Sequence, residues 1–206
     1  MENTTMENTR TKTTRNSLIL LLTAAIWGMA FVSQSKGMDY MHPFTFNGVR
    51  SLIGAASILV YILISRKIAG DKAAPLDWKL NVKAGLLCGI FLTIASTLQQ
   101  FGIKYTSVGK AGFITTLYII FVPMFGIFLK KKVAPVVWVA AVMAAVGMYL
   151  LCMTESLRLG AGDIMVFLCA IAFAIQIMTV DHYAARIDGA VVSCIQFTVC
   201  GVVCCI

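Results

Sequence analysis

Acidic residues are scarce in this 206-residue chain: Asp and Glu total nine against 17 Lys and Arg, and none of the nine lies in the middle of an apolar run. Proton relays across membranes are usually built on an Asp or Glu inside a span, so cation antiport by that device is disfavoured. The chain also lacks a Gly-x4-Gly-Lys-Ser/Thr phosphate loop, which excludes ATP hydrolysis of that type. Only two histidines occur, His42 and His182, neither in a metal-ligand spacing, and none of the seven cysteines forms a Cys-x-x-Cys pair. No span holds a convergent set of His, Glu, Asp and Ser, so no catalytic residue, metal site or cofactor is expected.

Apolar residues are what the chain has in abundance. They make up 59% of it, and the mean hydropathy is +0.87. Seven continuous apolar runs cover residues 18–34, 44–65, 82–103, 111–129, 133–153, 164–180 and 190–206, bounded by charges, Gly or Pro. Each is close to the roughly 20 residues that a helix rising about 1.5 Å per residue needs to cross a hydrocarbon core about 30 Å thick. Barrel strands would alternate in polarity, whereas these runs do not, so backbone groups must be satisfied within helices. The expected fold class is an all-α polytopic membrane protein.

A net charge of +8 suggests a nucleic-acid binder until the charges are placed. Arg10, Lys12, Arg15, Arg66, Lys67, Lys72, Lys79, Lys83, Lys130, Lys131, Lys132 and Arg186 fall on one side of the implied membrane. Lys36, Lys104, Lys110 and Arg158 fall on the other, which places the N-terminus in the cytosol by the positive-inside rule. A basic cytosolic face is what topology requires, so nucleic acid is set aside as a partner. The basic leader before the first run could belong to a signal peptide, but Val32-Ser33-Gln34-Ser35 is a poor cleavage site, so the first helix is expected to be retained. Residues 1–16, rich in Thr and Asn, are expected to be a disordered cytosolic tail.

Polar residues inside the runs are the candidate site. Thr93, Ser96, Thr97 and Gln100 recur at i, i+3, i+4 and i+7, forming one stripe on an apolar helix. Such a stripe either ties helices together, at about 0.6 to 2 kcal/mol per contact, or walls an aqueous cavity. Trp27 and Gln34 share a face of the first helix, and Asn47, Arg50, Ser51 and Gly54 share one of the second; Gln176 and Gln196 complete the candidate substrate-binding set. Arg50 stands out, because a guanidinium in a span costs on the order of 2.5 to 3.5 kcal/mol by insertion scales. It either snorkels to the interface or attracts a carboxylate or phosphate of a substrate. Pro123 can kink or hinge its helix, and Tyr105 sits at the turn where a gate would lie. Gly85 and Gly89 allow close helix approach, Gly109 and Gly112 tight re-entry after that turn, and the cysteines are read as small packing residues.

Weak internal similarity points to a repeat. Ala25-Ile26-Trp27-Gly28-Met29-Ala30 lines up with Ala170-Ile171-Ala172-Phe173-Ala174-Ile175, and nearly the same register sets Arg50 opposite Gln196. The unit would be five helices, and an odd number inserts the second copy upside down, as in many secondary transporters. The seventh run reaches Ile206 without a polar flank, so a longer protein of ten helices is expected.

Trp27-Gly28-Met29-Ala30-Phe31, Pro43 with Arg50, the stretch from Gln99 through Lys104-Tyr105-Thr106-Ser107 to Gly112-Phe113, and Pro123 together resemble the first repeat of an EamA-type member of the drug/metabolite transporter superfamily. The resemblance covers residues 17–153, with the start of a second repeat at 162–206. It departs from the family where Lys130-Lys131-Lys132 replaces a Gly-Glu pair common after the fourth helix. It implies ATP-independent export or exchange of small metabolites such as amino acids, from a bacterial cytoplasmic membrane. The expected partners are a small-molecule substrate and the lipid bilayer, with a homodimer left open. A receptor-like or structural membrane protein is the alternative.

Overall fold

With no water available in hydrocarbon, the apolar runs satisfy their backbone groups as helices. The computed structural model describes residues 2–70, 76–128, 134–152 and 160–206. Eight helices follow in order: α1 (Glu2–Gly37), α2 (Pro43–Ala69), α3 (Trp78–Tyr105), α4 (Val108–Thr116), α5 (Tyr118–Phe128), α6 (Pro135–Cys152), α7 (Ala161–Tyr183) and α8 (Gly189–Cys205), with one 3-10 turn at Ala184–Arg186. No strand occurs among the described residues. Five stretches are long and apolar enough to cross a bilayer: Thr13–Gly37, Pro43–Ile68, Trp78–Tyr105, Val108–Phe128 and Ala161–Arg186. Pro135–Gly147 and Gly189–Cys205 are shorter apolar helices. The protein is thus an all-α, multi-pass membrane protein. Lys72, Lys130, Lys131, Lys132 and Arg158 lie outside the described residues, as do the ends of the expected runs at Leu129, Val133 and Met153.

One expectation is corrected, and one expected span is found with an interruption. The N-terminal stretch is helical from Glu2 rather than disordered, continuous with the apolar run that follows it. The fourth span is broken at Leu117, where α4 closes with a tighter bond from the Leu117 N–H to the Ile114 carbonyl, at 3.2 Å. Pro123 lies within α5, six residues beyond that break. Lacking an N–H, it cannot bond the carbonyl one turn back, so the helix is weakened on its N-terminal side.

α3 is the axis of the bundle, buried along most of its length against α7 and α8. It runs antiparallel to α7, with Gly102 against Gly162 and Val166 at one end and Ala84 and Cys88 beside Val180 and Tyr183 at the other. It runs parallel to α8, with Asn81 beside Asp188 and Thr97 beside Cys204. α2 packs antiparallel to α8, from Gly48 at Cys204 and Cys205 to Arg66 at Asp188. α1 is peripheral and touches α3 and α4.

Small residues permit these approaches. A Cβ at Gly85 would lie 2.7 Å from the Ile195 Cβ, and one at Gly89 2.8 Å from the Val199 Cβ. The Gly85/Gly89 pair is therefore the seat of α8 on α3, as its spacing suggested. Gly112 differs from expectation, since a Cβ there would meet nothing within 4 Å. The turn it was expected to permit is made instead by Ser107, whose hydroxyl accepts the Lys110 N–H at 3.2 Å and caps α4.

Candidate functional site

The α3 stripe does not face lipid. Ser96 and Gln100 are buried, and Thr93 and Thr97 half-buried. Thr93 donates to the Gly89 carbonyl of its own helix at 2.7 Å, so its hydroxyl is spent within the backbone. Ser96 and Thr97 reach α8 through sulfur: Ser96 Oγ is 3.4 Å from Cys200 Sγ, and Thr97 Oγ1 is 3.8 Å from Cys204 Sγ. From α2, Ser51 donates to the same Cys200 Sγ at 3.3 Å. The expectation that the cysteines serve as small packing residues is incomplete for this pair. Cys200 and Cys204, one helical turn apart, are the polar seam where α2, α3 and α8 meet. The described cysteines Cys88, Cys169, Cys194, Cys200, Cys204 and Cys205 are all free thiols.

Beyond the seam, three buried amides stand on α1, α2 and α3. Gln100 donates through Nε2 to the Gln34 backbone carbonyl at 3.4 Å, which joins α3 to α1. Gln34, Asn47 and Gln100 are buried, and each keeps one side-chain atom without a hydrogen-bond partner: Gln34 Oε1, Asn47 Nδ2 and Gln100 Oε1. A buried polar group left unpaired costs about 1 to 3 kcal/mol. Three of them on α1, α2 and α3 mark hydrogen-bonding capacity held within the bundle rather than used to build it.

Arg50 adjoins Asn47. Its Nη2 donates to Asn47 Oδ1 at 2.9 Å, and the guanidinium carbon lies 5.7 Å from the centre of the Phe46 ring, a cation–π distance. The residue itself remains exposed, and no carboxylate pairs with it among the described residues. One turn of α2 thus fixes the direction of the fork from below and beside it, and leaves its remaining donors available.

The other sequence candidates are distributed differently. Gln176 of α7 donates to Gln196 Oε1 of α8 at 3.0 Å, a separate interhelical bond. A Gln176→Leu protein should lose about 0.6 to 2 kcal/mol of stability in a thermal unfolding measurement in detergent. Trp27 is 52% exposed on α1 and is not drawn in beside Gln34, because α1 is held to the bundle by its later turns, where Phe31 packs on Ile103, Ala111, Ile114 and Val166. Tyr105 is exposed at the end of α3, with Lys104 Nζ 5.9 Å from its ring centre. Pro123 is buried and lines a cavity of about 530 Å³ with Tyr118, Val122, Gly126, Val137, Met178 and Asp181. A second cavity of about 520 Å³ shares Met178 with the first and is lined also by Leu87, Phe125, Phe128, Thr179, His182 and Tyr183. Both are mainly apolar.

Three contributors escape a reading by periodicity. Gln99, buried beside the stripe, donates to Thr115 Oγ1 of α4 at 3.3 Å. Asn81 accepts the Asp188 N–H at 2.8 Å and donates to the Asp77 carbonyl at 2.8 Å. Asp163, also buried, accepts from Thr106 and from the Gly160 N–H. An acidic residue in the first turn of a helix was the available signal for Asp163.

A family model described as the EamA-like transporter family matches residues 15–153, which span α1 to α6. The chain belongs to that family. It is also 31% identical over 166 residues to a protein of Archaeoglobus fulgidus named as an uncharacterized transporter. That match covers 80% of this chain and 48% of the relative, so the chain spans about half the length of the curated relative it matches. No solved structure matches it significantly. In this EamA-family chain the polar seam, the three buried amides and Arg50 occupy α1, α2, α3 and α8. All but α8 fall in the matched segment.

Proposed function

We propose that the chain belongs to a secondary, ATP-independent transporter that moves small anionic or zwitterionic solutes, such as amino acids, by alternating access. The N-terminus is cytosolic in this reading, as the distribution of Lys and Arg favours. Family membership supports the class of activity, and one observation carries the site: Arg50, oriented by Phe46 and without a carboxylate partner among the described residues, is bonded to Asn47, one of three buried amides of α1, α2 and α3 that keep an unpaired atom. A carboxylate or phosphate is the complement of a guanidinium fork, and amide oxygens and nitrogens accept and donate to an amino or hydroxyl group nearby. The contact between α2 and α8, which the sequence register makes counterparts in two repeats, is where an inverted-repeat carrier would place its substrate.

The test is solute uptake by proteoliposomes containing only the purified full-length protein, offered amino acids, phosphate esters and nucleosides. Saturable uptake of at least one anionic or zwitterionic solute, above protein-free liposomes, is the expected result. Uptake of none across the panel would favour a receptor-like or structural role.

A further inference from the structure

α3 is fastened at both ends by an aspartate that also begins the next helix packed against it. At one end, Asp163 in the first turn of α7 accepts the Gly160 N–H at 2.9 Å, accepts the Thr106 hydroxyl from the end of α3, and stands 3.9 Å from Lys110 Nζ of α4. At the other end, Asp188 caps α8 by accepting the Ala190 and Val191 N–H groups at 3.0 and 3.3 Å. Its own N–H goes to Asn81 of α3 at 2.8 Å, and its carboxylate accepts from Arg66 of α2 at 3.4 Å. The two fastenings lie on opposite faces of the membrane-spanning bundle, and the polar stripe runs between them.

They are unequal. The Asp163 and Lys110 side chains are 3% and 18% exposed, against 39% and 40% for Arg66 and Asp188. Ion pairs exposed to that degree contribute little, whereas a buried carboxylate deprived of its partners is costly. The backbone is also tighter at the Asp163 end, where a Cβ at Gly162 would lie 2.9 Å from the Gly102 carbonyl oxygen and 2.8 Å from the Tyr105 carbonyl carbon.

We propose that these aspartates are the two gates of the carrier: Asp163 closes one face by holding the α3–α4 turn to α7, Asp188 closes the other by holding the start of α3 and the end of α2 to α8, and they release in turn. The inference rests on the alternating-access reading. The described conformation is the one in which the Asp163 face is firmly shut and the Asp188 face is the readier to open. Each aspartate serves both as a helix cap and as a cross-helix bond, so releasing a gate need not unravel the helix it begins.

Hydrogen–deuterium exchange on the full-length protein in nanodiscs tests this without any solute. Asp163→Asn keeps an acceptor for the Gly160 N–H but removes the charge facing Lys110, and Thr106→Val removes the bridging hydroxyl at similar volume. Either should speed amide exchange across residues 104–112 and 160–166 by on the order of tenfold. At the same time exchange across 78–84 and 188–194 should slow, as the population moves towards the state shut at that face. Arg66→Gln, which leaves the Asp188 cap intact, should produce the mirror image. Loosening confined to the altered end, loosening of both ends together, or no change at either would overturn the gate assignment. Solute uptake reports separately on the transporter reading, so the failure of one is distinguishable from the failure of the other.

Discussion

An Arg50→Lys protein is expected to retain its fold but lose at least tenfold in the rate of uptake at low solute concentration. The substitution keeps the charge and removes the planar fork. In the native protein one arm of that fork is committed to Asn47 Oδ1 and its face lies towards Phe46, so the remaining donors point in a fixed direction. An ammonium on a flexible stem retains neither constraint. Hydrogen bonds to charged groups contribute about 1.5 to 3 kcal/mol, and about 1.4 kcal/mol corresponds to a factor of ten. Arg50→Met, which removes the charge as well, should lose more. Because Arg50 is exposed and no acid pairs with it among the described residues, Arg50→Lys should not lower the unfolding temperature appreciably, whereas Arg50→Met takes the donor from the buried Asn47 Oδ1 and should cost about 1 to 3 kcal/mol. Uptake by Arg50→Lys equal to that of the native protein, with unchanged selectivity, would remove Arg50 from the site and return it to an interfacial role.

The second large effect concerns stability. Gly89→Ala should destabilise the protein by about 1 to 3 kcal/mol, as overpacking does in a well-fitted core. The added Cβ would approach the Val199 Cβ at 2.8 Å and the Gln196 Cα at 3.2 Å, and neither atom is the free end of a flexible chain. α8 would have to move away from α3, and the contacts of Ser96 and Thr97 with Cys200 and Cys204 would lengthen together. Gly112→Ala is the control, because its Cβ meets nothing within 4 Å; it should be neutral, or stabilising by up to about 1 kcal/mol through helix propensity. Thermal unfolding of both variants in one detergent checks the pair. Equal midpoints would mean that α8 does not seat on Gly89.

These two cases show what was readable in the chain and what was not. The spans were legible because bilayer thickness imposes a length on an apolar run, and the α3 stripe because a helix repeats every 3.6 residues. The interior position of Ser96, Thr97 and Gln100 followed from the cost of facing lipid. Their partners did not follow, because a cysteine reads as a small apolar residue until a hydroxyl is placed against its sulfur, as Ser51 and Ser96 are against Cys200. Trp27 shares a helical face with Gln34, yet periodicity fixes only direction around an axis and says nothing of where a peripheral helix leaves its neighbours. The break at Leu117 was illegible because its sequence is apolar on both sides, and Pro123 signals a weakness without placing it. Asp163 and Asp188 were visible as helix starts, but that each also reaches α3 depends on how α7 and α8 pack.

The most direct test of the central claim is counterflow in proteoliposomes of the full-length protein, with no nucleotide present. Vesicles loaded with an unlabelled solute identified by uptake are diluted into a trace of the same solute carrying a label. A carrier whose site faces one side at a time should accumulate label transiently above the outside concentration, and Arg50→Lys should accumulate at least tenfold less. Label that only equilibrates, at a rate unaffected by the solute loaded inside, would contradict an alternating-access carrier built around α3 and Arg50.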